Sequence, residues 1–366
     1  MSTFDVVVVG AGAFGSWTAL HLRRSGQTVA LLDAYGAGNN RSSSGGESRI
    51  LRCGYGADEI YTRWAKRSRE LWLKLFDDIG RPELFNKTGV LWTPKPGDPR
   101  TTDTQAALDK FGVAFDRLTA AELARRFPQL QFREERIGLF EPDSGVLLAR
   151  RAVRAVVEQA VREGVEYREE TVAELPIAQT IVYACGPWLP KMFPEILGGR
   201  IRVTRQEVFF FGTPAGNPSF APPRMPVWAD ITDLDSAYTV PDIESRGFKL
   251  AFDRHGPEFD PDTGDRVVHE IDQARSFLAE RFPSLAGAPL VESRVCQYEN
   301  TSNGDFLIDR HPDFKNVWLV GGGSGHGFKH GPAVGEHVCT LIEGKARPEP
   351  RFSLETKARE KARSVY

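Results

Sequence analysis

Three features of this sequence predict an α/β fold in which a parallel sheet with crossover helices is interleaved with an antiparallel sheet. A β-branched run at the N-terminus passes through spaced glycines into a helical pattern and a second apolar run. Helix–strand patterns recur near the middle and at the C-terminal end. Between them lie alternating, aromatic-rich stretches with the period of antiparallel strands.

The first unit is the most specific. Residues 5–9 read D-V-V-V-V, a short continuous apolar run of the kind buried on both faces of a parallel sheet. Gly10, Gly12 and Gly15 follow in G-A-G-A-F-G, then a helical stretch that stops at Gly26. Residues 28–32 form a second apolar run, ending at Asp33, 18 positions beyond Gly15. This is a strand–turn–helix–strand unit with the glycine fingerprint of a Rossmann-type dinucleotide site. Gly10 permits the tight turn, Gly12 lets a pyrophosphate approach the backbone, and Gly15 allows close helix–strand packing. The helix N-terminus faces the phosphates, and Asp33 can accept hydrogen bonds from a ribose. The fingerprint serves FAD and NAD alike. Residues 34–47, A-Y-G-A-G-N-N-R-S-S-S-G-G-E, form a polar loop where an NAD domain would proceed to a third strand. Small residues such as Ser43 and Ser44 allow close approach to a cofactor, as a loop around FAD requires; a flexible surface loop is the alternative.

Further along, residues 59–76 read as an amphipathic helix and 87–92 as a strand. Residues 94–104 look like a turn-rich connector, 105–127 like two short helices, and 138–146 like a glycine-bounded excursion. Residues 148–163 form a helix, followed by strands near 165–167 and 180–184. Antiparallel strands are expected at 203–211, 227–238, 248–253 and 293–298, with a helix at 269–281. Residues 317–320 return to a parallel-strand pattern before Gly321-Gly-Gly-Ser-Gly-His-Gly327 and a closing helix at 334–342. The active site is expected at the junction of the two sheets.

Composition narrows the function classes. With 366 residues, about two domains are expected. Forty-seven Lys and Arg against 49 Asp and Glu leave a net charge of -2, which argues against a nucleic-acid partner held by whole-surface attraction. Four dispersed cysteines fit neither a disulfide scaffold nor a metal finger, and point to a reducing compartment. No targeting segment or membrane span is evident, so a cytoplasmic protein without membrane partners or metal is expected.

The segments D-V-V-V-V-G-A-G-A-F-G, E-S-R-I-L-R-C-G-Y-G, K-T-G-V-L-W, F-E-P-D-S-G-V-L, V-C-Q-Y, F-L-I-D-R-H-P and G-G-G-S-G-H-G-F-K together resemble the FAD-dependent amine oxidases of the D-amino-acid oxidase superfamily. The match is nearest to the monomeric sarcosine oxidase and N-methyltryptophan oxidase family. The resemblance implies an FAD-binding domain from residues 1–80, 145–200 and 294–350. It implies a substrate domain from 81–144 and 201–293, with 351–366 a C-terminal extension. It implies FAD joined covalently to Cys296, and Gly325 beside the cofactor. Arg52 and Lys329 match the residues that receive the substrate carboxylate, Arg49 one beside the flavin, and Lys249 the lysine that promotes oxygen reduction. Tyr238 and Tyr298 match pocket aromatics. His326 matches a histidine that donates to substrate or flavin, or moves a proton. Asp143 reads as a turn residue.

Three departures stand out. The sarcosine oxidases carry a histidine four residues after the oxygen-activating lysine, where this chain has Asp253, which either attracts a cationic amine or pairs with an arginine. Paired histidines are replaced by Ser44 and Gly45. The stretch 168–182 is short for the family, as if one β-hairpin were trimmed. The resemblance implies a monomer that oxidises the C–N bond of an amino acid or N-alkyl amino acid to an imine, which hydrolyses to a carbonyl compound, while O2 becomes hydrogen peroxide. The alternatives are a dehydrogenase using another acceptor and a flavoprotein that does not oxidise amines.

Overall fold

The computed structural model describes residues 4–230 and 236–357. One sheet has six strands in the order Leu307–Arg310, Val317–Gly321, Ala178–Tyr183, Phe4–Val9, Val29–Asp33 and Glu166–Glu169; all neighbours are parallel except the first pair. Val6 to Val9 are all buried, which is why that strand is a continuous apolar run rather than an alternating one. Helices Ala13–Arg24, Ala149–Arg162 and Gly331–Ile342 contribute to one large core with its strands. The first and last of these pack very closely. A Cβ at Gly335 would lie 2.6 Å from the carbonyl carbon of Trp17.

The second sheet has eight strands in the order Leu290–Thr301, Ile201–Phe211, Phe248–Phe252, Ala237–Val240, Val227–Asp230, Val90–Trp92, Gly138–Glu141 and Asp116–Leu118. Its core is aromatic: Phe209, Phe211, Phe220, Trp228, Phe248 and Phe282 are all fully buried. Phe248 and Phe282 meet edge-on, their ring centroids 4.8 Å apart. A small sheet of Arg49–Leu51, Gly145–Leu147 and Phe85–Asn86 lies where the chain passes between the two large ones.

Several expectations need correction. The connector at 94–104 contains the start of a helix, Pro99–Lys110. Asp98 caps it through the Arg100 N–H and Pro99 opens it, so residues that resemble a turn are in fact helix-start signals. The expected second helix is shorter, Ala120–Arg126, and is preceded by the strand Asp116–Leu118; Thr119 and Glu122 close a capping box. The single strand expected at 227–238 is a hairpin, with Asp230 opposite Ala237. Its residues 231–235 lie outside the described residues. The boundary at 294 falls inside Leu290–Thr301, which pairs along its length with Ile201–Phe211 in the antiparallel sheet. In the C-terminal extension Phe352 and Lys357 are fully buried, so this part is anchored on the core; 358–366 lie outside the described residues. No helix among the described residues is long and apolar enough to cross a membrane.

Candidate active site between the two sheets

Two cavities meet at the junction. The larger, about 300 Å³, runs along the C-terminal ends of the parallel strands, past Gly10, Gly12, Asp33, Ser43 and Ser44. This is where open α/β sheets take their ligands. Gly10 has φ +101°, and a Cβ there would strike the Ala184 carbonyl oxygen at 2.4 Å. Gly15 does not line the cavity. It lies behind the turn, where a Cβ would come within 1.8 Å of the Gly10 carbonyl oxygen. Ser44 Oγ accepts from the Ala13 N–H at 3.1 Å, which puts a hydroxyl at the helix N-terminus. Asp33 accepts from the N–H groups of Ala11 at 2.7 Å and Tyr35 at 2.9 Å. Burial raises its pKa, against the opposing pull of these backbone donors. Ser43 Oγ donates to the Gln297 carbonyl at 3.0 Å and thereby ties the polar loop to the antiparallel sheet.

These residues fit a dinucleotide. The glycine turn leaves the backbone open to phosphate, the helix N-terminus points at it, and the acid stands at the end of the second strand. Sequence reasoning missed one member of this cavity, Glu299, two positions before the end of Leu290–Thr301. It accepts from the Gly322 N–H at 2.6 Å, and burial pushes its pKa up to about 7 despite the backbone donors of Gly322 and Gly323. No sequence signal marks it, because the glycine run at 321–327 that it meets lies more than 20 residues further along the chain.

The smaller cavity, about 90 Å³, shares Arg49, Tyr298, Gly325 and Phe328 with the larger. It gathers Arg52, Tyr238, Lys249, Asp253, Cys296, His326 and Lys329, so every predicted catalytic and substrate-binding side chain borders one space. Gly325 has φ +80°, and a Cβ there would meet the Tyr298 ring at 2.8 Å. Arg49 is held by the carbonyls of Ser48 at 2.8 Å and Ser43 at 2.5 Å, and its guanidinium reaches Cys296 Sγ at 3.4 Å. Burial opposes ionisation of the Cys296 thiol, but Arg49 and Arg294 outweigh it, and the pKa is lowered. The lower the pKa of a thiol, the larger the share of the nucleophilic thiolate.

Lys249, on Phe248–Phe252, is buried and donates to the carbonyl and hydroxyl of Ser48, both at 3.3 Å. Burial, reinforced by Arg49, pushes its pKa down to about 7. Arg52 lies over the rings of Tyr55 at 4.1 Å and Trp92 at 4.8 Å and donates to the Gly54 carbonyl. Lys329 Nζ donates to Tyr55 Oη at 2.7 Å and to the His326 carbonyl at 2.9 Å. Tyr298 donates to Asp253 at 3.2 Å, which ties this carboxylate to a pocket tyrosine. Burial raises the Tyr238 pKa to about 12. Asp143 stands apart on the surface, paired with Lys87 at 2.6 Å, as a turn residue would.

Two other groups were not foreseen. Tyr55 touches Lys329, His326 and His330. Glu141, fully buried, accepts from the N–H groups of Cys53 at 2.7 Å and Gly54 at 3.0 Å and from Trp92 Nε1 at 3.0 Å, which fixes the turn after Arg52. Only a view across three strands reveals either.

The comparisons agree with this geometry. The family described as FAD dependent oxidoreductase matches residues 5–341. The monomeric sarcosine oxidase of Streptomyces avermitilis is 32% identical over 362 residues, covering 93% of each chain. The N-methyl-L-tryptophan oxidase of Citrobacter koseri is 25% identical, covering 96% of this chain and 97% of its own. Among solved structures, L-proline dehydrogenase from P. horikoshii superposes with a TM-score of 0.84 at 21% identity, covering 99% of this chain and all of its own, a likeness of fold. With a dinucleotide cradle opening onto a cation-lined chamber, and with relatives spanning nearly its full length, the chain belongs to the FAD-dependent oxidoreductases of the D-amino-acid oxidase family.

Proposed function

We propose that this enzyme oxidises the C–N bond of a small amino acid or N-alkyl amino acid, with O2 as electron acceptor and FAD held covalently by Cys296. The observation that carries this reading is the convergence of Arg49, Arg52, Lys249 and Lys329 on one small chamber continuous with the dinucleotide cradle. Held by the glycine turn, Asp33 and the 43–44 loop, FAD would supply the two-electron redox chemistry between the carbon beside nitrogen and oxygen. The protein's own residues orient and neutralise. Arg52 and Lys329 hold the carboxylate, a planar fork and a point charge fixing one end of the substrate. Asp253, with Tyr298 and Tyr238, forms the polar wall at which the nitrogen is received. Lys249 and Arg49 place positive charge where oxygen is reduced.

The names of the two curated relatives, a sarcosine oxidase and an N-methyltryptophan oxidase, support an N-alkyl amino acid. The unpaired cysteines and one relative's printed name support a monomer in a reducing compartment such as the cytosol. The deciding experiment is an anaerobic screen of amino and N-methylamino acids that follows loss of flavin absorbance. If no compound bleaches the fully loaded protein, the reading fails. Acid precipitation tests the linkage. Flavin should stay with the protein pellet and move to the supernatant in Cys296→Ser; release from the wild type would refute the covalent bond.

A further inference from the structure

The chamber lies between two larger spaces. Towards the dinucleotide cavity its wall is Arg49, Tyr298, Gly325 and Phe328, which border both. A different pair, Trp92 and Ala229, separates it from a third cavity of about 270 Å³. That cavity extends to the turn at 54–58 and to the first residues of helix Pro99–Lys110. Ala229 is the cross-strand partner of Trp92 on one side and of Tyr238 on the other, so the three side chains point to one face of the sheet. At the Trp92 end the partition is thick. The indole is held by Glu141 at 3.0 Å, and the Arg52 guanidinium lies across it at 4.8 Å and across Tyr55 at 4.1 Å. Ala229 contributes only a methyl group. The thin part of the partition is therefore beside Tyr238, at the wall where the substrate nitrogen is received.

We infer that the third cavity receives the nitrogen substituent of the substrate, which is an N-alkyl amino acid whose alkyl group is bulky and uncharged, such as one bearing an aromatic ring, and that Ala229 is the specificity-determining residue that lets this group pass. The inference rests on the amine-oxidising reading above. The amino-acid head stays in the chamber, with its carboxylate on Arg52 and Lys329, and the tail lies beyond the partition.

Size and chemistry favour such a tail. The chamber offers about 90 Å³ and the third cavity three times as much, so a large substituent finds its space beyond Ala229. Tyr55, Trp92, Pro94 and Leu139 give that cavity apolar walls. Three of its acids are already paired: Asp58 with Arg351 at 2.5 Å, Asp98 with Arg100 at 3.3 Å and Asp230 with Arg136 at 3.4 Å. The cavity therefore calls for no cation from its ligand. The exposed carboxylate of Asp103 at the rim disfavours an anionic tail.

Sarcosine and N-benzylglycine test this. They share the glycine head, have no chiral centre and differ only in the nitrogen substituent. Anaerobic reduction of the flavin in the wild-type holoenzyme should be about 10–100-fold more efficient with N-benzylglycine, the ratio expected for burying one aromatic group. Thr101→Trp fills the third cavity from the helix, at a position that does not border the chamber. It should remove that advantage and leave reduction by sarcosine and inhibition by acetate unchanged. Ala229→Leu thickens the partition itself. It should lower the ratio in the same direction, and it reports even if Thr101→Trp fails to fold. Equal loss for both amines in Thr101→Trp would make the third cavity a passage only and overturns the inference. So does an N-benzylglycine advantage that neither variant touches. So does a wild type whose flavin other amines bleach but N-benzylglycine reduces no faster than sarcosine. Each of these leaves the functional reading standing, whereas a screen in which no amine reduces the flavin sinks both.

Discussion

The two cavities are built from different materials. The larger is walled by backbone and small side chains, Gly10, Gly12, Ser43, Ser44 and the glycines of 321–327, with Asp33 and Glu299 as its acids. The smaller is walled by long charged side chains, with Arg49, Arg52, Lys249 and Lys329 facing Asp253 and Glu207. Glu207 is already engaged by Arg205 at 2.7 Å and by the His269 and Glu270 N–H groups. A cofactor with two phosphates suits the first wall, since N–H dipoles solvate charge without bringing mobile groups. A small anion suits the second, whose excess cations are desolvated in advance; the lowered pKa values of Lys249 and Lys329 are the cost of that burial.

The largest effect should come from the backbone wall. Gly15→Val places side-chain atoms on the Gly10 carbonyl, at a site where a Cβ alone would lie at 1.8 Å. A loss of more than about 4 kcal/mol is expected, with no flavin retained after purification in excess FAD. Normal flavin content in this variant would mean that the turn is not the cradle.

Lys249→Met addresses the other wall. Removing its charge should slow oxidation of the substrate-reduced enzyme by O2 by ~100–5000-fold, while anaerobic reduction by substrate changes far less. Stopped-flow measurement of the two half-reactions separates the cases. Reoxidation at the wild-type rate would make Lys249 structural and would favour an acceptor other than oxygen. Arg52→Ala and Lys329→Ala should each weaken inhibition by small carboxylates such as acetate by ~30–1000-fold. Unchanged inhibition constants in both would move the anion site elsewhere.

The smallest effect distinguishes the acids of the larger cavity. The folded pKa of Glu299, about 7, lies above its ordinary 4.5. Between these values the folded state keeps a proton that the unfolded state has lost, so the carboxyl begins to destabilise the fold as pH rises past 4.5 and does so fully above 7. Glu299→Gln should therefore gain about 2–3 kcal/mol over wild type on going from pH 4.5 to above 7, seen in urea unfolding of flavin-free protein. A constant difference across that range would show that Glu299 is ionised in the fold.

The glycine turn, Asp33 and the parallel strands were legible because their requirements are local. A positive φ, a close backbone approach and a doubly buried strand each leave a mark within a few residues, as Gly10 and Val6 to Val9 do. Strand pairing was less legible. The hairpin with Asp230 opposite Ala237 and the full length of Leu290–Thr301 depend on partners far along the chain, and the helix at Pro99–Lys110 hides behind turn-like capping residues. Arg52, Lys249 and Lys329 were named through resemblance to relatives; alone, each reads as an ordinary surface charge. Tyr55, Glu141, Glu299 and His330 carried no such mark.

The sequence by itself determined the dinucleotide cradle, because backbone geometry and hydrophobic period are short-range properties written in adjacent residues. Only the tertiary structure decided the chamber. It brings Arg49 and Arg52 from one edge of the small sheet, Lys249 and Cys296 from two strands of the antiparallel sheet, and His326 and Lys329 from the turn before the last helix. Whether a buried lysine holds a proton depends on which of these neighbours stands within a few ångströms, and that distance is set by the packing of two sheets rather than by any neighbour in the chain.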